Sequence, residues 1–234
     1  MADTTSSNPF PGPSPIPAAT VIVARDGDGG LETLLIRRNT ALEFAGGMWV
    51  FPGGRIDPGD YLAEAPHDEA TAARRAAVRE AAEEAGLVLD EADLVPFSHW
   101  TAPPISPKRF ATWFFLAPCP AVTPVITIDG GEIHDHTWMR PADAIARREA
   151  GEIDLAPPTW ITLHRMARSP GLSAALLDAR SHEPERFETR FSRVDDGVVA
   201  VYEGDVAYDG GPLHGPGPRH RLWMVASGWR YERD

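Results

Sequence analysis

The segment Arg79-Glu80-Ala81-Ala82-Glu83-Glu84-Ala85-Gly86-Leu87 constrains this chain more than any other stretch. Residues Ala70 to Ala85 have the composition of a helix, and Gly86 can end it in the left-handed conformation. At about 100° per residue, Glu80, Glu83 and Glu84 share one arc of about 100°, because positions i, i+3 and i+4 lie on one face. Val78, Ala81, Ala82 and Ala85 fall opposite, which predicts a small-residue face for close packing and a separate carboxylate face. Like charges at this spacing cost roughly 0.2–0.5 kcal/mol even when solvated, and a divalent cation would reverse that cost. An all-oxygen donor set suits magnesium or manganese, whereas zinc recruits His or Cys, and neither occurs in this helix. For three glutamates alone, a solvated acidic face is the alternative. Two neighbours favour the site: Arg79 can orient Glu83 one turn away, and Phe51-Pro52-Gly53-Gly54 reads as a glycine turn that lets backbone approach a ligand.

The surrounding pattern is of mixed class. Ala19 to Ala24 is rich in β-branched residues and predicts a strand, Asp26 to Gly30 a turn, and Glu32 to Arg37 a second strand. Trp49-Val50-Phe51, Arg109 to Ala117 and His136 to Met139 read as further strands. Pro141 to Ala150 and Thr159 to Ala167 read as helices with proline at the start. Such irregular alternation favours an α/β mixed sheet with helices on both faces. Phe187 to Val194, Gly197 to Glu203 and Arg219 to Ala226 predict more strands, so residues 169–234 are read as a C-terminal extension. Its aromatics Trp223, Trp229 and Tyr231 either cover a site or form a homodimer contact, and both remain open. Residues 1–17 hold five prolines and read as a flexible tail.

A net charge of −12 excludes a broad basic surface for nucleic acid or anionic membrane and leaves a small anionic ligand gathered by metal ions. The single cysteine, Cys119, lies between two prolines and reads as passive. No basic region leads into a long apolar run, and no stretch approaches the roughly 18–20 apolar residues of a membrane span, so the expected location is cytoplasmic.

Together these residues resemble the Nudix family, whose signature is G-x5-E-x7-R-E-U-x-E-E-x-G-U with U apolar. Gly54 opens it, and Arg79 to Leu87 match the second half at every specified position. Two departures stand out: the first acid is Asp60, and 18 residues rather than seven separate it from Arg79. The 11 extra residues fall within 61–71 and read as a loop insertion. Asp60 is not assigned as a metal ligand. Leu34-Leu35-Ile36-Arg37-Arg38, Gly47 to Gly54, Trp138 and Pro141 extend the likeness over residues 18–168. The resemblance implies an α/β/α sandwich with a mixed sheet.

It also implies a chemistry: hydrolysis of a phosphoanhydride with Mg2+ or Mn2+ held by Glu80 and Glu84, with Glu83 a ligand or proton relay and the Gly54 carbonyl a further ligand. Family members often place another acid on a loop. In Asp129-Gly130-Gly131-Glu132 the preferred candidate is Glu132, with a solvent-exposed turn acid as the alternative. Glu83, Glu84 and Glu132 are thus the catalytic candidates. His134-Asp135-His136 lacks a third ligand for a separate metal site. Lys108 and Arg109 are the candidates for holding a substrate phosphate, although a surface pair beside a strand is the plainer reading. Trp100, Phe110 and Trp113 either stack a base or belong to the core.

Phe44 to Trp49, the insertion, Trp100 to Phe115 with Pro107-Lys108-Arg109-Phe110, and Pro157-Pro158-Thr159-Trp160 look like a subgroup related to the peroxisomal coenzyme A diphosphatases. That likeness implies coenzyme A or acyl-CoA as substrate. The C-terminal Glu232-Arg233-Asp234 is not a peroxisomal address. ADP-ribose, NADH or a nucleoside triphosphate is the alternative substrate, and a nucleotide-binding module without catalysis is the alternative class. Three intact glutamates argue against the latter.

Overall fold

A computed structural model describes residues 13–41, 45–106, 108–120, 125–128 and 130–234. Of the residues singled out above, Phe44, Pro107 and Asp129 lie outside these, as do residues 1–12 of the N-terminal segment. The first sheet comprises β1 (Ile16–Gly27), β2 (Gly30–Arg38), β3 (Trp49–Val50), β4 (Gly53–Arg55), β5 (Val95–Thr101), β6 (Phe110–Pro118), β7 (Ile133–Met139) and β8 (Glu185–Glu188). Its strand order is β3-β2-β1-β6-β5-β8, with β4 added to β1 and β7 to β2. The β1–β6 and β5–β8 pairs are parallel and the others antiparallel, giving the mixed sheet that was expected.

Helices cover both faces. On one lies α1 (Glu69–Ala85), and on the other the core includes residues of α2 (Pro141–Glu149), α3 (Pro157–Met166) and α4 (Leu172–Ser181). Side chains alternate along a strand, so Ala19, Val21 and Val23 of β1 face α1 while Ile22 and Ala24 face the other helices. The α1 side is built from small residues. Ala72, Ala73, Ala76, Ala77, Ala81 and Ala85 are fully buried, which brings the helix backbone close to the sheet. Asp68, inside the insertion, caps α1 by accepting from the Thr71 N–H at 3.1 Å. At the other end Gly86 takes φ 66°, and its N–H and that of Leu87 close on Ala82 and Ala81 carbonyls.

The expected separation of α1 into an alanine face and a carboxylate face does not hold. Ala82 is exposed, whereas Glu84 is buried beside Ala81 and Ala85. The cause is the partner surface: where the helix passes β4 it meets glycines, which leave room for carboxylates inside the packed face.

Residues beyond 169 are woven into the core. α4 packs on this sheet, and β8 adds a parallel strand to β5. The single predicted strand Phe187 to Val194 is divided at Thr189, after which β9 (Arg190–Val194), β10 (Gly197–Val201), β11 (His220–Val225) and β12 (Gly228–Arg233) form a separate antiparallel sheet. An aromatic seam joins the two sheets. Trp100 stacks on Phe187 with centroids 3.8 Å apart, and Tyr202 meets both edge-on. Trp229 and Tyr231 pack against this core, and Trp223 packs under the loop that Asp205 and Arg221 pin with a buried ion pair at 2.6 Å. Among the described residues no helix is long and apolar enough to cross a membrane.

The close approach of α1 is sensitive to volume. Ala76→Leu is expected to lower unfolding free energy by about 1–3 kcal/mol, read as an earlier midpoint in urea; an unchanged midpoint would contradict the packing described.

Candidate active site

Gly53 and Gly54 create the site by having no side chains. The sequence suggested a turn here, but both belong to strand β4, paired with Thr20 and Ala19 of β1. A Cβ on Gly53 would lie 2.4 Å from the Ala19 carbonyl oxygen, and one on Gly54 would lie 2.3 Å from Glu80 Oε1. The carboxylates of α1 therefore settle directly against strand backbone. The Gly53 N–H donates to Glu84 Oε2 at 2.8 Å.

The three glutamates occupy different environments. Glu84 is only 6% exposed, and burial pushes its carboxyl up to about 8 despite the Gly53 N–H. The charges of Glu80 and Glu132 add to that rise, and Arg38 opposes it. Glu80 is raised too, first by burial, with Arg79 working against the shift. Glu83 is largely exposed and accepts from Arg79 Nη1 at 3.0 Å.

Arg79 fastens the group. Its guanidinium donates to Asp60 Oδ1 at 3.2 Å and Oδ2 at 3.0 Å, to Glu80 Oε1 at 2.8 Å and to the Arg55 carbonyl at 2.9 Å. Asp60 is buried and also accepts from the Asp57 N–H at 2.8 Å. A single 3-10 turn, Pro58–Asp60, presents this acid to Arg79. The insertion that follows it leaves the contact intact and supplies the helix cap. Sequence alone did not assign this role to Asp60, although its place in the signature was the available signal.

The remaining candidates are dispersed. Glu132 is exposed and meets Arg38 Nη2 at 3.3 Å; its charge reaches Glu84. Lys108 is exposed just before β6. Arg109, its expected companion at a phosphate, is 7% exposed, with Nε donating to the Ala102 carbonyl at 2.7 Å and Nη2 to Glu188 at 3.3 Å. Those contacts make it a clamp between the β5–β6 connection and the end of β8. Trp100 belongs to the core, and Trp113 donates to Glu69 at 3.2 Å beside the start of α1. Cys119 is half-buried, and burial raises its thiol pKa.

Among the described residues no three His, Cys, Asp or Glu side chains form a compact ligand cluster, which also applies to His134-Asp135-His136. The donor chemistry nevertheless fits a hard cation. Glu80 and Glu84 present oxygen ligands against β4, Glu80 where a Cβ on Gly54 would sit and Glu84 at the Gly53 N–H, and a buried, raised carboxylate gains from a neighbouring positive charge.

A mixed sheet between helices, with carboxylates lodged against a glycine strand and clamped by one arginine, defines a class of site whose oxygen donors suit a hard cation. The NUDIX domain family model matches residues 15–159, more than half of the sequence, and the chain belongs to the Nudix hydrolase family. It is similar to the acyl-coenzyme A diphosphatase NUDT19 of Xenopus laevis, with 28% identity over 126 residues. That match covers 51% of this chain but only 33% of the relative's length. Among solved structures it is similar to a NUDIX hydrolase from Alicyclobacillus acidocaldarius, with 26% identity and a TM-score of 0.62 over 70% of this chain and 96% of that one.

The raised carboxyl of Glu84 sets a pH dependence. A proton held in the folded but not the unfolded chain stabilises fully below the usual carboxylate range, and that contribution is lost as pH rises through about 8. In chelator-treated protein, stability is expected to fall across that window, and Glu84→Gln should flatten the slope. Parallel pH–stability curves for the two proteins would refute the assignment.

Proposed function

We propose that this chain hydrolyses a phosphoanhydride bond in a nucleoside diphosphate linked to another moiety, with coenzyme A or acyl-CoA the leading substrates. The observation that carries the reading is the pair Glu80 and Glu84, lodged against Gly53 and Gly54 on a helix that matches the family signature. The relative named an acyl-coenzyme A diphosphatase supports the choice of substrate.

Glu80 and Glu84, with the Gly54 carbonyl and with Glu83 as the outer acid, are the residues that would hold magnesium or manganese. Such an ion, when bound, offsets the charge of a diphosphate and lowers the pKa of an attacking water. The chain's own residues do the positioning. The Gly53 N–H fixes Glu84 Oε2 and leaves Oε1 for a cation. Arg79 holds Glu80 and Glu83 from one side, and Asp60 holds Arg79 from the other. Glu132, exposed on the loop before β7, is the group proposed to accept the proton of the attacking water. Attack by water requires no covalent enzyme intermediate.

The test is a panel: CoA, acyl-CoA, NADH, ADP-ribose and nucleoside triphosphates, each with magnesium or manganese, with products identified by mass. An adenosine bisphosphate and a phosphopantetheine from CoA are the expected products. Glu84→Gln should lower kcat at least about a hundredfold while leaving the far-ultraviolet spectrum unchanged, since even residues that only support metal ligands are worth 10–100-fold. Turnover of only ADP-ribose, NADH or a triphosphate would move the substrate. No turnover of any compound would favour a binding module.

A further inference from the structure

Just past β2, the chain is fastened to the loop that carries Glu132. The β2–β7 ladder runs regularly from Thr33 opposite Met139 to Arg37 opposite Asp135, then skips His134, so that Arg38 faces Ile133. Such a bulge disrupts the ladder and bends the strand, and beyond it the pairing no longer holds the chain by itself. Asn39 restores the connection. Its N–H donates to the Glu132 carbonyl at 2.7 Å, and its side-chain Nδ2 donates to the Gly131 carbonyl at 2.9 Å. Its Oδ1 accepts from the Ala41 N–H at 2.9 Å, two residues on, in the local turn that Asn side chains favour.

These contacts allow only one orientation of the Asn39 amide. A backbone N–H can only donate and a carbonyl can only accept, so Oδ1 must face Ala41 while Nδ2 faces Gly131. Both ends of the side chain are therefore used, one for the local turn and one for a loop 92 residues away. That loop needs an external hold. Gly130 takes φ 72°, and neither Gly130 nor Gly131 has a side chain to pack. Glu132 follows directly, exposed to solvent, and its charge is felt by the buried Glu84.

We propose that Asn39 is a positioning residue: by strapping the backbone of Gly131 and Glu132 to the end of β2, it keeps the Glu132 carboxylate in place beside the carboxylate site. This rests on the diphosphatase reading, in which Glu132 accepts the proton of the attacking water, and deepens it. Asn39 acts through Glu132 and not on the reacting atoms.

Two substitutions separate the strap from the local turn. Asn39→Asp keeps an oxygen for the Ala41 N–H but sets its other oxygen against the Gly131 carbonyl, so the turn survives and the strap breaks; Asn39→Ala loses both. On the panel compound that wild type cleaves fastest, both variants should lower kcat about tenfold with KM nearly unchanged. That is part of the roughly 10²–10⁴-fold that a placed general base supplies. In a Glu132→Gln background neither substitution should lower kcat further. Wild-type kcat in Asn39→Asp would overturn the proposal, and so would a loss confined to Asn39→Asp, which would mark added negative charge. A tenfold loss that persists in the Glu132→Gln background would overturn it too, because Asn39 would then act on the fold at large. Amide hydrogen exchange reads the strap without turnover. Protection of the residue-39 N–H should fall at least about tenfold in both variants, and that of Ala41 should survive in Asn39→Asp alone; unchanged protection at residue 39 would overturn the strap. Wild type that hydrolyses nothing in the panel would fail the diphosphatase reading and the kinetic role with it, while the exchange data would still decide the strap.

Discussion

The alanines of α1 let its backbone come so close to β1 and β4 that glutamates on the same helix face meet strand backbone instead of water. Burying a carboxylate is costly unless it is hydrogen-bonded or neutralised. At this point the sheet offers glycine: one N–H for Glu84, and open space for Glu80. The result is a pair of buried carboxylates whose pKa values are both raised. Alanine packing, glycine backbone and raised carboxyls are three aspects of one contact.

Arg79 makes that contact tolerable. Its guanidinium draws on Asp60, Glu80 and Glu83 together, so the helix carries its own counter-charge on the flank away from the buried carboxylate. The shorter acid at position 60 reaches it because the 3-10 turn presents Asp60 from a fixed backbone. An insertion can then follow at no cost to the clamp, since the chain rejoins the helix through the Asp68 cap. The C-terminal half supports the opposite face. Through β8 and the stacked Trp100 and Phe187, it is built into the body of the sheet.

Much of this was legible in the sequence because it is local. The helix, its glycine stop, the grouping of Glu80, Glu83 and Glu84, and the strands β1, β2 and β6 follow from spacing and residue type. What was not legible depends on partners far along the chain. β5 escaped notice because Pro96, Ser98 and His99 break its apolar pattern, and a bulge interrupts its pairing. The residue before α4 is Gly171, and the Leu172 N–H is taken instead by Asp26 Oδ1 at 2.7 Å, 146 residues upstream, so nothing in Leu172 to Ser181 announces its start. Arg109 resembles a surface cation until β8 brings Glu188 to it, 79 residues later. The burial of Glu84 was hidden for the same reason: the helix spacing locates the carboxylate, but only the glycines of β4, 31 residues upstream, decide that it is enclosed.

The central claim is that Glu80 and Glu84 form a cation site enclosed by the glycine strand. Manganese titration followed by electron paramagnetic resonance tests it most directly, comparing wild type with Glu80→Gln and Glu84→Gln. Saturable binding by wild type, weakened at least about tenfold in each variant, is the expected result. Equal manganese affinity in all three proteins would contradict the account, because the ion would then be held elsewhere.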